Sequence, residues 1–194
     1  VQKELPDCTV LDGCIYVSAS LEHPGVLVQH GPILRVVFGP RDPSYISPIL
    51  SAIQSDLCES GIDGVLSTHI QRDALEKFSY VSPIGAAGVY LHAVAGDFQK
   101  EGPARELFKS MIREISALAA AMGYPFEKDY VKINLEILSN LSADATTSMQ
   151  RDIMEGKPSE LDGLVMEPLR LAKKYSVSMP CYEEVANVLC PLEF

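Results

Sequence analysis

The sequence predicts an α/β unit at residues 1–68, followed by an all-α helical domain at residues 69–194. Two observations predict this division. Before about Ser67, β-branched and aromatic residues lie in short runs between turn signals, as in strands. After Ser67, apolar residues recur every three or four positions, which is the period of a helix. The 194 residues suffice for one large domain or two small ones with a substantial core.

The first unit begins with a predicted β-hairpin in the stretch CIYVSASLEHPGVLVQHG, which turns at His23-Pro24-Gly25. Proline fixes φ and glycine accepts a positive φ, so this triplet favours a turn. We expect a third strand at 33–39 and a fourth at 62–67. The helix between them should end at Gly61 and carry one apolar face, formed by Ile49, Leu50, Ile53 and Leu57.

The helical domain should begin with a buried helix at 70–97, which Pro83 is expected to bend or interrupt. The small residues from Gly85 to Gly88 would let a neighbouring backbone approach closely. A second helix at 103–123 has an apolar stripe of Leu107, Met111, Ile115, Leu118 and Met122. The remaining helices are expected at 126–140, 147–155, 160–175 and 181–190, with a kink at Pro168.

Composition argues against several classes of protein. The net charge of −10 and the absence of a Lys/Arg cluster argue against a nucleic-acid-binding protein. No apolar run reaches the roughly 20 residues of a membrane span, and the N-terminus has no signal-peptide pattern. The five cysteines have no zinc spacing, so we expect no metal site and reduced thiols in the cytoplasm. The chain starts with valine, which suggests a fragment.

Residues 146–163, TTSMQRDIMEGKPSELDG, place two helix starts close together. Thr147 and Ser148 open one helix, and Ser159 with Asp162 resembles an acidic capping box at the start of the next. Glu160 lies in the positive first turn, where an ionised carboxylate is stabilised and can accept hydrogen bonds from hydroxyls. Helix capping is the commoner role for such residues. A ligand pocket between the two helix starts is the alternative.

Lys77 and Glu114 are the other polar candidates. Lys77 precedes a long apolar stretch, and a partly desolvated lysine there would be suited to proton transfer. A solvated lysine is the commoner reading. Glu114 lies beside the apolar stripe of its helix, either as an acid at the rim of a site or as a solvated residue.

Three ordered elements resemble the ketopantoate reductase (2-dehydropantoate 2-reductase) family. They are the pattern from Ser148 to Asp162, the ALEKF segment around Lys77, and the stretch at 114–123. The segment LPDCTVLDGCIYVSASLEHPGVLVQHG also resembles the part of the family's Rossmann domain that follows its Asn-Gly segment. The resemblance covers nearly the whole chain. It implies a partial Rossmann-like, NADP-binding sheet at 1–68. It also implies a helical substrate-binding domain at 69–194, like the C-terminal domain of 6-phosphogluconate dehydrogenase.

The family's functional residues carry over to matching positions. Lys77 would be the general acid, and Ser148 would bind substrate. Glu160 would accept hydrogen bonds from cofactor or substrate hydroxyls, and Glu114 would support the lysine. Three positions where the family often has asparagines hold Val81, Ala95 and Ala145. Either Ser82 and Thr147 compensate as substrate-binding residues, or the keto acid differs.

The implied function is reduction of 2-dehydropantoate to pantoate with NADPH, for pantothenate synthesis in the cytoplasm, with a homodimer as one expectation. The 194 residues contain no GxGxxG motif, so the isolated chain should bind NADPH poorly and be inactive. Two alternatives stay open. One is a related 2-hydroxy acid dehydrogenase with a different keto acid. The other is a non-catalytic helical module that dimerises through the 70–97 helix.

Overall fold

The computed structural model describes residue 4 and residues 8–190. The chain divides into two compact units, residues 1–74 and residues 75–194. Unit 1 has a small sheet and a helix, and unit 2 is helical. This architecture confirms the predicted fold class.

Unit 1 contains three described strands in the order β1 (Asp12–His23), β2 (Val26–Gly39) and β3 (Asp63–Leu66). Strands β1 and β2 are antiparallel, whereas β2 and β3 are parallel, so the sheet is mixed. The predicted hairpin turn is confirmed, because only Pro24 and Gly25 separate the first two strands and Gly25 has φ +87°. Helix α1 (Pro48–Glu59) connects β2 to β3 and follows a 3-10 turn at Pro43–Tyr45.

One prediction for unit 1 was wrong in detail, and one predicted apolar face is less buried than its composition would suggest. Residues 33–39 are not a separate strand, because β2 runs unbroken from Val26 to Gly39. Its pairing with β1 shifts between Val17 and Ala19, and the extra residues form a bulge at Gly31, where φ is +85°. The expected apolar face of α1 is also only partly covered. Its Leu50 is buried, but its Ile49 and Ile53 are 67% and 39% exposed.

Unit 2 is built around helix α4, which has an apolar stripe that is almost fully buried. The described helices from α2 onward are α2 (Ile70–Leu91), α3 (Ala95–Gln99), α4 (Pro103–Ala121), α5 (Tyr130–Ser139), α6 (Ser148–Met154), α7 (Glu167–Tyr175) and α8 (Pro180–Leu189). The predicted stripe residues Met111, Ile115 and Leu118 are at most 1% exposed, and Phe108 and Ile112 join them. The boundary between the two units falls inside α2.

Helix α2 ends earlier than its apolar sequence predicted. The helix stops at Leu91, because His92 adopts a left-handed conformation with φ +50°. The Ala93 N–H then donates to the Gly88 carbonyl at 3.0 Å, and the His92 N–H donates to the Val89 carbonyl at 3.3 Å. This is the Schellman pattern of a helix end, in which glycine is the usual left-handed residue. A histidine gave no such signal in the sequence.

The helix continues through Pro83, and a side chain from α5 compensates for the missing donor. Proline has no N–H, so it cannot bond the Ser79 carbonyl four residues earlier. The Asn134 side-chain amide donates to this carbonyl at 3.0 Å and to the Ser79 hydroxyl at 3.1 Å. Asn134 is 1% exposed and Ser79 is fully buried. The proline therefore creates a polar position that only a specific side chain on α5 can fill.

The small residues of α2 do permit the expected close approach, and the partner is α6 of the same chain. A Cβ built on Gly88 would lie 2.7 Å from the Gln150 side chain, and one on Gly85 would lie 3.1 Å from Met149. Ala86 and Ala87 are completely buried. The proposed dimerisation through this small-residue face was therefore wrong, since the chain's own core covers it. A homodimer formed elsewhere on the surface stays a prediction.

Asn134→Leu is expected to lower the free energy of unfolding by about 1–3 kcal/mol, because it leaves the buried Ser79 carbonyl without a donor. The matched background is Pro83→Ala, which restores an N–H at position 83. There the same Asn134→Leu change should cost clearly less. Denaturant unfolding of the wild type, both single variants and the double variant measures this coupling. Equal costs in the two backgrounds would contradict this account of Asn134.

Candidate active site

Helix α2 carries Lys77 on the face that continues into the interior of unit 2. The Lys77 side chain is half-buried. Tyr80 and Ile84 follow at three and seven residues, spacings that place all three residues on one face of the helix. This face leads from the lysine toward the part of α2 that contacts α6.

Ser82 lies in the core. Its side chain is 0% exposed, its hydroxyl donates to the Leu164 carbonyl at 2.6 Å, and it is also hydrogen-bonded to the Tyr182 hydroxyl. Leu164 is four residues before Pro168, which has no N–H to offer that carbonyl. Ser82 therefore compensates for the second proline as Asn134 does for the first. Its hydroxyl joins three helical segments and has no exposed surface for a substrate.

The expected irregularity at Pro168 takes the form of a π turn at Asp162–Met166, directly before α7. The Glu167 N–H donates to the Asp162 carbonyl, five residues earlier. The predicted capping box of Ser159 with Asp162 was wrong. The Asp162 carboxylate instead pairs with Arg170, with 3.1 Å between Arg170 Nη1 and Asp162 Oδ2. This pairing lowers the pKa of the Asp162 carboxyl.

Thr147 forms the N-cap of α6, which confirms the capping interpretation of this residue. Its hydroxyl accepts from the Gln150 N–H at 3.2 Å and contacts Gln150 Oε1 at 3.1 Å. The Thr147 N–H donates to the same Oε1 at 2.9 Å, which completes a capping box. Because Oε1 only accepts, the single hydroxyl proton of Thr147 is used within the protein.

Ser148 differs from Thr147 in its availability. It is the first residue of α6 and is exposed. Among the described residues, nothing forms a hydrogen bond with its hydroxyl. Of the two neighbouring hydroxyls, Ser148 is therefore the one that can donate to a ligand.

The start of α6 and the π turn meet on α2 at Gly85. A Cβ built there would lie 3.9 Å from Thr147 Oγ1 and 3.8 Å from Leu164 Cδ1. Gly85 follows Lys77 by eight residues, so their Cα atoms are on the order of 12 Å apart along the helix axis. The elements that carry Lys77, Ser148 and Glu160 thus converge on a short length of α2.

Glu160 lies one helical turn before Leu164, and its backbone carbonyl accepts the Leu164 N–H at 2.9 Å. The residue is exposed. Within the described part of the chain, its carboxylate forms no ion pair or hydrogen bond. This leaves the carboxylate able to accept from hydroxyls of a ligand.

Glu114 caps helix α8 from helix α4. Its Oε1 accepts the Cys181 N–H at 2.8 Å and its Oε2 accepts the Tyr182 N–H at 3.1 Å. Burial, with Glu114 nearby, raises the pKa of the Cys181 thiol to about 11. Glu114 therefore fixes the residue, Tyr182, that bonds Ser82 on α2. Its partners are 67 and 68 residues away in sequence, which is why periodicity could not identify this role.

A pocket of about 170 Å³ opens beside this convergence point. Its walls come from α2, α3, the segment before α6, and α6 itself. The lining residues are Tyr80, Ile84, Ala93, Ala95, Phe98, Leu141, Ala145, Thr146, Thr147 and Gln150. Sequence reasoning named Ala95, Ala145 and Thr147 but missed Tyr80, Ile84 and Phe98, which are typical of an ordinary core. The helical spacing of Tyr80 and Ile84 from Lys77 was the available signal.

Two features are absent from the residues that the structure describes. None of their helices combines the length and apolar character that a membrane crossing needs. No group of three or more His, Cys, Asp or Glu side chains in that part of the chain is arranged to hold a metal ion.

Residues 69–193 match the family described as "Ketopantoate reductase PanE/ApbA C terminal". The chain belongs to this family.

Known relatives agree with this assignment. A 2-dehydropantoate 2-reductase of Nostoc sp. (strain PCC 7120 / SAG 25.82 / UTEX 2576) is 22% identical over 180 residues, which are 91% of this chain and 56% of the relative. A crystal structure of 2-dehydropantoate 2-reductase from Methylococcus capsulatus has a TM-score of 0.84 at 22% identity, covering 98% of this chain and 60% of that one.

A third similar protein is a D-mandelate dehydrogenase. The ternary structure of D-mandelate dehydrogenase with NADH and anilino(oxo)acetate has a TM-score of 0.78 at 18% identity, covering 92% of this chain and 58% of that one. At these identities the structural likenesses establish the fold. This chain spans less than two thirds of the length of each of the three proteins.

Ser82→Ala is expected to lower the free energy of unfolding by about 1–3 kcal/mol, because it leaves the partly buried Leu164 carbonyl and the buried Tyr182 hydroxyl without this partner. The partner variant is Tyr182→Phe, which removes one of these orphaned groups. It should therefore cost less in the Ser82→Ala background than in the wild type. Thermal or denaturant unfolding of all four proteins measures the coupling. If the two substitutions change the free energy of unfolding additively, the Ser82 hydroxyl does not bond Tyr182 in the way described.

Proposed function

We propose that the complete protein containing these residues is an NADPH-dependent reductase that converts a 2-keto acid to a 2-hydroxy acid. The observation that carries the proposal is the convergence of the elements bearing Lys77, Ser148 and Glu160 on one stretch of α2. Family membership supports the reaction class. The substrate that the relatives suggest first is 2-dehydropantoate, which would place the protein in pantothenate synthesis.

Lys77 is the proposed general acid. Its half-buried ammonium would donate a proton to the keto oxygen and stabilise the negative charge that develops there. The nicotinamide cofactor, when bound, supplies the hydride for the carbonyl carbon. Lysine suits this role better than arginine, because an ammonium can release its proton whereas a guanidinium remains protonated.

Ser148 is the proposed substrate-binding residue, since its hydroxyl is exposed and can donate to the substrate carboxylate. Thr147 would position it by capping α6. We assign Ser82 and Glu114 to positioning rather than substrate contact. Ser82 joins α2 to the π turn, and Glu114 holds the start of α8.

Glu160 is the proposed cofactor contact within this domain. Its exposed carboxylate would accept a hydrogen bond from a hydroxyl of the cofactor. The remaining cofactor contacts would need a phosphate-binding loop, and the 194 residues contain no glycine-rich motif of that kind. We therefore propose that residues 1–68 are the remainder of a Rossmann-like NADP-binding domain. Assays with NADPH and NADH, compared by kcat/KM, would establish the preferred cofactor.

We also propose that the protein works in the cytoplasm. The support is the odd number of cysteines, five, which suits a reducing compartment better than a disulfide framework.

A related 2-hydroxy acid dehydrogenase is the second candidate function. The observation that favours it is the mainly apolar lining of the pocket beside Thr147. A panel of 2-keto acids assayed with the complete protein separates the two candidates.

In the complete protein, Lys77→Ala should lower kcat for 2-keto acid reduction by about 10²–10⁴-fold, because the proton donor is lost. Lys77→Arg should retain substrate binding with a similarly low kcat. The control is Lys132→Ala, at an exposed lysine on α5. Loss of NADPH absorbance measures the rates. A Lys77→Ala enzyme with the wild-type rate would remove the lysine from the mechanism.

Ser148→Ala should raise KM for the 2-keto acid about tenfold or more, since a hydrogen bond to a charged group is lost. The unfolding temperature should stay unchanged, because the Ser148 hydroxyl bonds nothing in the described structure. Thr147→Ala should instead lower stability by about 1 kcal/mol through loss of the N-cap. Ser178→Ala, at another exposed serine, is the control. A normal KM for Ser148→Ala would exclude this contact.

A further inference from the structure

The pocket beside Thr147 has walls made mostly of hydrocarbon. Tyr80 and Ile84 of α2 and Phe98 of α3 line it, and four further residues complete its apolar lining: Ala93, Ala95, Leu141 and Ala145. The ring of Phe98 is held in place by Phe108, at 5.9 Å between centroids, and Tyr80 packs on the same Phe108 at 6.0 Å. The two aromatic walls are therefore braced by one core residue.

Three polar residues of the lining, Thr146, Thr147 and Gln150, are hydrogen-bonded within the protein. Thr147 and Gln150 bond each other in the capping box, and the Gln150 amide donates to the Ala93 carbonyl at 2.8 Å. The Thr146 hydroxyl and carbonyl both accept from Arg151. Apart from the Tyr80 phenol, a ligand group in this pocket therefore meets few polar atoms that need a partner, so a hydroxyl placed there would regain few of the hydrogen bonds that it loses to water.

The pocket also carries no charge in the neutral pH range. None of its lining residues is an acid, a base or a histidine. Burial raises the pKa of the Tyr80 phenol to about 12, so this side chain remains protonated. An uncharged apolar group is the kind of ligand that gains most from such surroundings.

The volume sets the size of the occupant. An apolar cavity of about 150 Å³ in another protein binds benzene. The present pocket, at about 170 Å³, is of the same size. A methyl group would leave most of this volume unfilled, whereas a phenyl ring would fill it.

The pocket lies next to both groups that would hold the reacting end of a substrate. Tyr80 is one helical turn after Lys77 on the same face of α2, about 4.5 Å along the axis. Thr147 directly precedes Ser148. A 2-keto acid with its carbonyl at Lys77 and its carboxylate at Ser148 would therefore direct its substituent toward this pocket.

We infer that the pocket bounded by Tyr80, Ile84, Phe98 and Ala145 is a specificity subsite for a phenyl-sized apolar substituent of the 2-keto acid. This inference rests on the proposed reductase function and extends it to the class of substrate. Substrates with such a substituent should be preferred to 2-dehydropantoate, which ends in a hydroxyl, and to pyruvate, which has only a methyl group.

The first arm of the test measures binding to the 194-residue chain. Phenylglyoxylate should bind at least about tenfold more tightly than pyruvate, because its ring is buried. It should shift the amide NMR signals of Ala95, Ala145 and Thr146. Equal affinities, or shifts confined to other parts of the chain, would overturn the inference.

The matched variant is Ala145→Leu, which fills the pocket from a half-buried position. It should weaken phenylglyoxylate binding about tenfold and change pyruvate binding less than about twofold. Ala117→Leu makes the same change at an exposed position of α4 and should change neither. If Ala145→Leu does not fold, Ala145→Val is the smaller alternative. Unchanged phenylglyoxylate affinity in the folded variant would overturn the inference.

The second arm measures kcat/KM of the complete protein for the same three acids. The kcat/KM for phenylglyoxylate should be at least about tenfold higher than that for 2-dehydropantoate, and Ala145→Leu should reverse this order. A higher kcat/KM for 2-dehydropantoate than for phenylglyoxylate would overturn the inference. The proposed function would still stand in that case. Turnover of none of the three acids would count against the proposed function, and the binding arm would still decide whether the pocket takes an apolar ring.

Discussion

Two prolines in helical segments impose the constraint on which the arrangement of unit 2 depends. Each lacks the N–H that would bond a carbonyl one turn earlier, and these carbonyls belong to the buried Ser79 and the half-buried Leu164. A polar side chain from another helix supplies the missing donor in both cases, Asn134 for Ser79 and Ser82 for Leu164. Directional bonds of this kind fix helices more tightly than apolar packing alone, because an alternative packing would leave a buried carbonyl unpaired. Helix α2 is thereby tied to α5 on one side and to the π turn on the other.

This tying determines where the chemistry of the site can occur. Lys77 belongs to α2, Ser148 begins α6, and Glu160 precedes the π turn, so the three residues come from elements that share contacts around Gly85. Glu114 extends the same network by holding the start of α8, whose Tyr182 bonds Ser82. The polar groups of the core thus form a connected support, whereas the proposed reacting groups lie at its surface. A site built this way keeps its geometry while its exposed side chains remain available to ligands.

The sequence predicted the local features of this fold well. The hairpin turn at Pro24-Gly25, the buried stripe of α4 and the N-cap at Thr147 each depend on residues close together in the chain. It could not predict the bonds that join the helices, because their partners are 55 to 82 residues apart. Ser82 illustrates the difficulty, since a serine beside a proline on a lysine-bearing helix looks equally suited to a ligand and to a helix junction. The end of α2 was missed for a local reason, because His92 takes a conformation for which glycine is the usual signal.

The close contact between α2 and α6 also limits how this protein could acquire new specificities. Gly88 has no room for a side chain beside Gln150, which lines the pocket and completes the capping box of α6, so this side of the pocket tolerates little change. The opposite wall is less constrained, because Ala145 lies half-buried in the segment that leads into α6. Evolutionary change in the size of the accepted group would therefore proceed through the alanine side, leaving the glycine side as the invariant half of the scaffold.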